Sequence, residues 1–168
     1  NDLETLEFNV QDAVARITLN RPKAANSINL QMAKDLMEVA LHCHDDQSVR
    51  AILIDAQEKM FCAGGDIGGF ASAGDKMPAL LQEMTTYLHA AIALLARGRA
   101  PVIAAVGGTA AGAGFSLATA ADLVLAGEGA RFTMAYTQVG LTPDGSSTYF
   151  LPRLVGKRRA AELMLTNR

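Results

Sequence analysis

Short apolar runs alternate with longer amphipathic stretches along the whole chain, and the alternation predicts strands and helices in turn. Residues 6–10 and 14–19 approach a period of two on either side of Gln11-Asp12-Ala13, which predicts an opening hairpin ended by Asn20-Arg21-Pro22. Asn29 can cap a helix whose apolar positions Leu30, Ala33, Met37, Ala40 and Leu41 share one face and which ends around residues 42–46. Residues 51–55 read as a short strand buried on both faces. A long amphipathic helix over residues 78–97 carries Leu81, Met84, Leu88, Ile92 and Leu95 along its stripe. Residues 102–106, held between Pro101 and Gly107, are too few for a helix and read as a buried strand. A helix of small residues over 115–121 follows, then strands at 123–126 and 131–133 and a turn at 140–145. Two short helices, near 147–154 and 157–165, close the order. Strands alternating with helices predict an α/β protein, and residues 1–168 amount to one domain with no linker or clean repeat.

Two stretches break this pattern with bare backbone. One runs over residues 59–67, with Gly68 and Gly69 just beyond; the other holds Gly107, Gly108, Gly112 and Gly114 with nothing larger than Thr between them. A strand feeding a glycine turn into a helix leaves N–H groups without partners at the helix start, backed by the positive end of its dipole. A negative group, or one becoming negative, belongs there. A dinucleotide fingerprint would need Gly at position 117, where Leu117 stands, and a phosphate-binding loop would need a Lys that the stretch lacks. Gly114-Phe-Ser-Leu-Ala118 approaches a nucleophile elbow, but His42, His44 and His89 all precede Ser116, which is the wrong order for that serine triad.

Composition narrows the reading further. Half of the 168 residues are apolar and 19% are charged, as in ordinary soluble domains. A net charge of −2 argues against non-specific nucleic-acid binding, and no apolar run reaches the length of a membrane span. Cys43 and Cys62 make no disulfide framework, and with no signal-peptide pattern the expected compartment is a reducing cytoplasm. His42-Cys-His-Asp-Asp46 reads as a solvated helix end, and no metal is expected. The chain starts without Met and stops inside a helical pattern, so both ends are expected to be incomplete.

Phe61-Cys-Ala-Gly-Gly-Asp-Ile67 and Ala105-Val-Gly-Gly-Thr-Ala-Ala-Gly-Ala-Gly114 resemble the two signature segments of the crotonase (enoyl-CoA hydratase/isomerase) superfamily. Arg21-Pro-Lys-Ala-Ala-Asn26 resembles its CoA-contacting loop, and the three segments occur in the expected order. The resemblance implies a crotonase-like spiral of ββα units, acyl-CoA thioester substrates and a homotrimer or hexamer. It implies no cofactor beyond the coenzyme A that is part of the substrate. Family chains continue past the point equivalent to Arg168 with C-terminal helices that cover the site and make trimer contacts, a part missing here. Carried over residue by residue, the N–H groups of Gly65 and Ala113 would form an oxyanion hole for the thioester oxygen. One preorganised donor of this kind is worth about 3–4 kcal/mol of barrier. Lys23, Ala24, Ala25, Asn26, Ala63, Gly64, Asp66, Ile67, Gly112, Tyr136 and Pro143 would bind the acyl-CoA, with Tyr136 lining the acyl pocket.

Hydratases of the family carry two glutamates, and the matching positions here are Ser116 and Tyr136, which argues against hydration. Asp144 falls where some isomerases of the family place a working aspartate, and one carboxylate suits a double-bond shift. An apolar pocket would make it a better base. His89 and Asp144 also match the histidine and nucleophilic aspartate of 4-chlorobenzoyl-CoA dehalogenase, although Tyr136 stands where that enzyme has a tryptophan. Isomerisation through Asp144 is therefore the first expectation and hydrolytic displacement through Asp144 and His89 the second. A non-catalytic acyl-CoA-binding protein is the third.

Overall fold

The computed structural model describes residues 3–57 and 59–168. Its strands are β1 (Leu6–Gln11), β2 (Val14–Leu19), β3 (Ala51–Ala56), β4 (Met60–Cys62), β5 (Val102–Val106), β6 (Thr109–Ala111), β7 (Leu123–Ala126) and β8 (Arg131–Thr133). Its helices are α1 (Leu30–Asp45), α2 (Ile67–Ala73), α3 (Met77–Arg97), α4 (Ala113–Thr119), α5 (Ser147–Val155) and α6 (Lys157–Thr166). Short 3-10 turns span Pro22–Ala24, Gly74–Lys76 and Tyr136–Val139.

The hairpin forms because Asp12 and Ala13 both take positive φ, 51° and 63°, the two-residue turn whose twist matches its strands. β1 pairs antiparallel with β2, and β2, β3, β5 and β7 then add in parallel, giving the order β1-β2-β3-β5-β7. A second, smaller sheet runs β4-β6-β8, also parallel. Each of the pairs β3/β4, β5/β6 and β7/β8 sends its first strand to the large sheet and its second to the small one, followed by helix. The chain thus winds as the spiral of ββα units that the resemblance implies.

The side chain of Asn29 accepts the N–H of Met32 at 2.9 Å and starts α1. The buried face of α1 keeps Ala33 and Ala40 of the expected stripe but is turned toward Met32, Leu36, Val39 and Cys43; Leu30 and Met37 are half-buried and Leu41 is 42% exposed. Nearly every turn of this helix offers an apolar residue, so the sequence leaves the choice of face to its packing against α3. Ile52 and Ile54 of β3 are buried, but Ala51, Leu53 and Asp55 are only half-buried, so one face of this strand is less enclosed than expected. Met84, Leu88, Ile92 and Leu95 of α3 enter the core as the stripe predicts, while Leu81 stays half-buried. The stretch expected to be a loop at 59–67 contains β4 and leads into α2. Asp66 caps that helix by accepting the N–H of Gly69 at 3.1 Å, and Phe70 anchors it.

Candidate active site

The two glycine-rich stretches meet at the end of the small sheet. Cys62 of β4 pairs with Ala110 of β6, and three residues beyond each lie Gly65 and Ala113. The loops touch through bare backbone. Gly64 has φ +98°, and a Cβ built on it would stand 3.0 Å from the Ala111 carbonyl oxygen and 3.5 Å from the Ala113 nitrogen. Gly114 lies against Cys62 so closely that a Cβ there would fall 2.4 Å from the Cys62 carbonyl oxygen. Among the described residues, neither the Gly65 N–H nor the Ala113 N–H has a hydrogen-bond partner. Two donors on rigid elements, with no side chain between them, can receive one oxygen that gains charge.

These loops form one end of a cavity of about 350 Å³, bordered by Ala63, Gly64, Gly65, Gly112 and Ala113. Its walls are mostly apolar, supplied by Ile67 and Phe70 of α2, Leu81, Met84 and Leu88 of α3, and Leu141 and Pro143 from the loop before α5. Tyr136 and Asp144 complete the lining. Among the described residues, Asp144 is the one carboxylate that borders this cavity.

Asp144 borders this mostly apolar cavity but is not enclosed by it. Its side chain is 41% exposed and its Oδ1 lies 2.9 Å from Nε2 of His89, itself 46% exposed. An ionised carboxylate only accepts, so Nε2 carries the proton of this bond. Asp144 Oδ2 has no hydrogen-bond partner among the described residues. Two residues 55 positions apart are thus brought together at the rim. The backbone beneath them is held firmly: the Asp144 carbonyl accepts the hydroxyl of Ser116 at 2.7 Å, the hydroxyl of Ser147 at 2.8 Å and the Ser147 N–H at 3.2 Å.

Ser116 and Tyr136, which the resemblance matches to a hydratase's glutamates, are buried and hydrogen-bonded to each other at 2.8 Å. Burial pushes the Tyr136 phenol well above the ordinary tyrosine range, so it remains an O–H donor. Ser116 does not border the cavity, while Tyr136 does. Cys62, beside the loop contact, is likewise pushed up by burial, to about 12, and remains a neutral thiol.

The segment 21–28 runs alongside the first glycine loop as a rudimentary outer strand of the small sheet. Ala63 N–H donates to Ala25, Ile28 N–H to Gly64, and Asp66 N–H to Ile28. Lys23 is exposed and Ala24 and Ala25 are half-buried; Arg21, Lys23 and Ala24 border a shallow concavity of about 310 Å³. Asn26 is fully buried, so its amide is not a free ligand contact. It accepts the Arg21 N–H at 2.8 Å and donates to the carbonyls of Gln57 at 3.1 Å and Met60 at 2.8 Å, which fixes the loop's shape. Asp66 is also committed, to the cap of α2 and to an ion pair with Arg21 at 3.1 Å. Arg21, which also donates to the Ser27 carbonyl, joins the two loops and is the functional candidate that sequence reasoning missed. Its only signal in the sequence is its place at the head of the CoA-loop motif.

Comparison with known proteins bears on this geometry. The sequence model described as enoyl-CoA hydratase/isomerase matches residues 9–168. A Rhodobacter capsulatus protein named "Probable enoyl-CoA hydratase" is 40% identical over 96% of this chain and 61% of its own length. The 1,2-epoxyphenylacetyl-CoA isomerase of Escherichia coli is 36% identical over 97% of this chain and 63% of its own. A 4-chlorobenzoyl coenzyme A dehalogenase of an Arthrobacter species is 35% identical over 94% and 57%. The crystal structure of an enoyl-CoA hydratase from Polaromonas superposes with a TM-score of 0.90 at 31% identity, covering 97% of this chain and 63% of that one. The chain therefore spans about three-fifths of the length of the relatives it matches. Among the described residues, no helix is long and apolar enough to cross a membrane.

Proposed function

The chain belongs to the enoyl-CoA hydratase/isomerase family, and on that premise we propose that it shifts a carbon–carbon double bond in an acyl-CoA thioester, with Asp144 as the base. The observation that carries this reading is the chemistry of the cavity lining. Two residues whose N–H groups have no partner border a space that, among the described residues, has a single carboxylate in its lining, and the positions that would carry a hydratase's glutamates hold a bonded Ser116–Tyr136 pair. Hydration needs carboxylates to handle a water molecule, whereas a double-bond shift needs one group that takes a proton and gives it back.

The thioester oxygen accepts the N–H groups of Gly65 and Ala113. Asp144 Oδ2 removes a proton from the carbon next to the carbonyl of a 3-enoyl thioester. The electron pair spreads over the dienolate, and its charge concentrates on the oxygen held by the two donors. The carboxylic acid so formed returns the proton to the far carbon, leaving the 2-enoyl isomer and the original carboxylate. His89 holds Oδ1 throughout, which leaves Oδ2 for the transfer. Coenzyme A follows the segment from Lys23 to Asn26 and the stretch from Ala63 to Ile67. An assembly of three or six copies belongs to the same reading. The exposed apolar residues Leu123, Val124 and Leu125 of β7 are a face that such contacts could cover.

The 2.9 Å bond between His89 and Asp144 favours a second reading, hydrolytic displacement. There an Asp144 oxygen attacks an acyl-ring carbon and expels its leaving group. His89 then helps water release the product from the ester. The two readings separate by product. The natural full-length protein is offered a 3-enoyl-CoA, a 2-enoyl-CoA and a halobenzoyl-CoA, and products are identified by mass spectrometry and NMR. A mass-neutral double-bond shift, reduced roughly 100- to 10,000-fold in Asp144→Asn, is the expected result. Halide release would establish the second reading, and gain of water by the 2-enoyl-CoA that survives the substitution would exclude both.

A further inference from the structure

The Ser116 hydroxyl has one proton and three oxygen neighbours: the Asp144 carbonyl at 2.7 Å, the Tyr136 hydroxyl at 2.8 Å and the Gly112 carbonyl at 3.2 Å. Carbonyl oxygens only accept, so the proton of Ser116 goes to a carbonyl, and the Asp144 contact is the shorter by half an ångström. Tyr136 must then be the donor in its bond to Ser116. The chain of bonds has one direction, from the phenol through the serine to the peptide oxygen of Asp144.

The loop also rests on this pair sterically. Gly145 has φ +61°, and a Cβ built there would stand 2.7 Å from Ser116 Cβ and 3.6 Å from the Tyr136 hydroxyl oxygen. The Asp144–Gly145 backbone therefore lies directly on the Ser116 side chain, while Ser147 grips the same carbonyl from α5. The Asp144 side chain leaves a peptide clamped on both sides, and among the described residues its one tie is to His89.

We propose that Ser116 and Tyr136 are positioning residues, whose directed pair of hydroxyl bonds seats the Asp144–Gly145 peptide so that the Asp144 carboxylate meets His89 at the cavity rim. The proposal deepens the reading of Asp144 as the working carboxylate and rests on it for its catalytic consequence. Two positions without carboxylates serve the site through the backbone of a third. Because Tyr136 also borders the cavity, Ser116 is the cleaner probe.

The test compares Ser116→Ala, Tyr136→Phe, the double variant and Asp144→Asn in the natural full-length protein. Each is measured for kcat and KM on a 3-enoyl-CoA and for the ring ¹⁵N NMR signals of His89 without substrate. Ser116→Ala is expected to lower kcat about tenfold with KM within about twofold. It should also move the His89 signals toward their positions in Asp144→Asn. Tyr136→Phe should move both in the same direction by less, and the double variant should be no worse than Ser116→Ala, because Tyr136 reaches the peptide only through the Ser116 hydroxyl. Should Ser116→Ala fail to fold, Tyr136→Phe carries the same comparison. Unchanged kcat and unchanged His89 signals overturn the proposal, as does a fall in melting temperature alone. If the His89 signals move in Ser116→Ala while Asp144→Asn keeps full activity, the seating stands and the catalytic reading of Asp144 fails.

Discussion

Replacing Gly114 with alanine places a methyl group where the structure has no room for one. Its Cβ would lie 2.4 Å from the Cys62 carbonyl oxygen, 2.6 Å from Cys62 Cβ and 2.8 Å from Cys62 Sγ, while ordinary contacts begin at 3.4 Å. The carbonyl is backbone and cannot swing aside, so β4 and α4 must part by about 1 Å. Cys62 lies three residues before one proposed oxyanion donor and Gly114 one residue after the other, so parting them moves the Gly65 N–H relative to the Ala113 N–H. A displacement of about 1 Å in reacting geometry costs on the order of 100-fold in rate, equivalent to about 2.7 kcal/mol of barrier. The same overpacking should remove roughly 1–3 kcal/mol of stability, with the melting temperature falling by roughly 2–4 °C for each. Gly107→Ala is the matched control, because a Cβ there meets nothing within 4 Å although it sits in the same glycine-rich stretch. The assay is kcat/KM on the double-bond-shift substrate, together with a thermal unfolding curve for each variant. Gly114→Ala within threefold of the parent, or Gly107→Ala falling equally far, would refute the claim that this contact sets the donor geometry.

Asn26→Ala removes a buried amide that satisfies three part-buried backbone groups. Urea unfolding should show a loss on the order of 3 kcal/mol, and an unshifted midpoint would mean the loop does not depend on it. Cys62, raised from 9.0 to about 12 by burial, binds its proton in the folded chain over a range where the unfolded chain has released it. Its contribution is whole below pH 9 and falls by about 1.4 kcal/mol per pH unit from there to about 12. Between pH 8 and pH 10 the parent should lose about 1.4 kcal/mol more than Cys62→Ala; parallel losses would place the thiol in water.

The large sheet was legible almost to the residue, because β1, β2, β5 and β7 are apolar or alternating runs bounded by Pro, Gly, Asn or Asp. The small sheet was less so. β4 and β6 are three residues each, Met-Phe-Cys and Thr-Ala-Ala, and such segments carry no period; they are strands because their neighbours in space complete the ladder. α2 was hidden by Gly68 and Gly69, weak helix formers that Asp66 and Phe70 override by capping and burial. Within the site, the glycine loops could be read from the missing side chains. Asp144 and His89 came from resemblance alone, and the structure adds their contact. The Ser116–Tyr136 bond could not be read, because nothing in a sequence says which two hydroxyls will share a proton across 20 positions.

Gly65 and Ala113 each lie three residues beyond the paired Cys62 and Ala110, so their approach starts from neighbouring strands of one parallel sheet, about 4.8 Å apart. The spacing of the two loops is governed by the ladder between β4 and β6 and by the close contact of Gly114 with Cys62. Ala135, three residues past Phe132 of β8, stands at the corresponding step of the next strand and borders the same cavity. Each turn of the spiral therefore delivers one residue to a common line, as successive teeth of a comb end at one edge. Walls and rim can be exchanged residue by residue without altering the pitch of that comb. A chain built this way can hold its backbone donors in place while the side chains around them change.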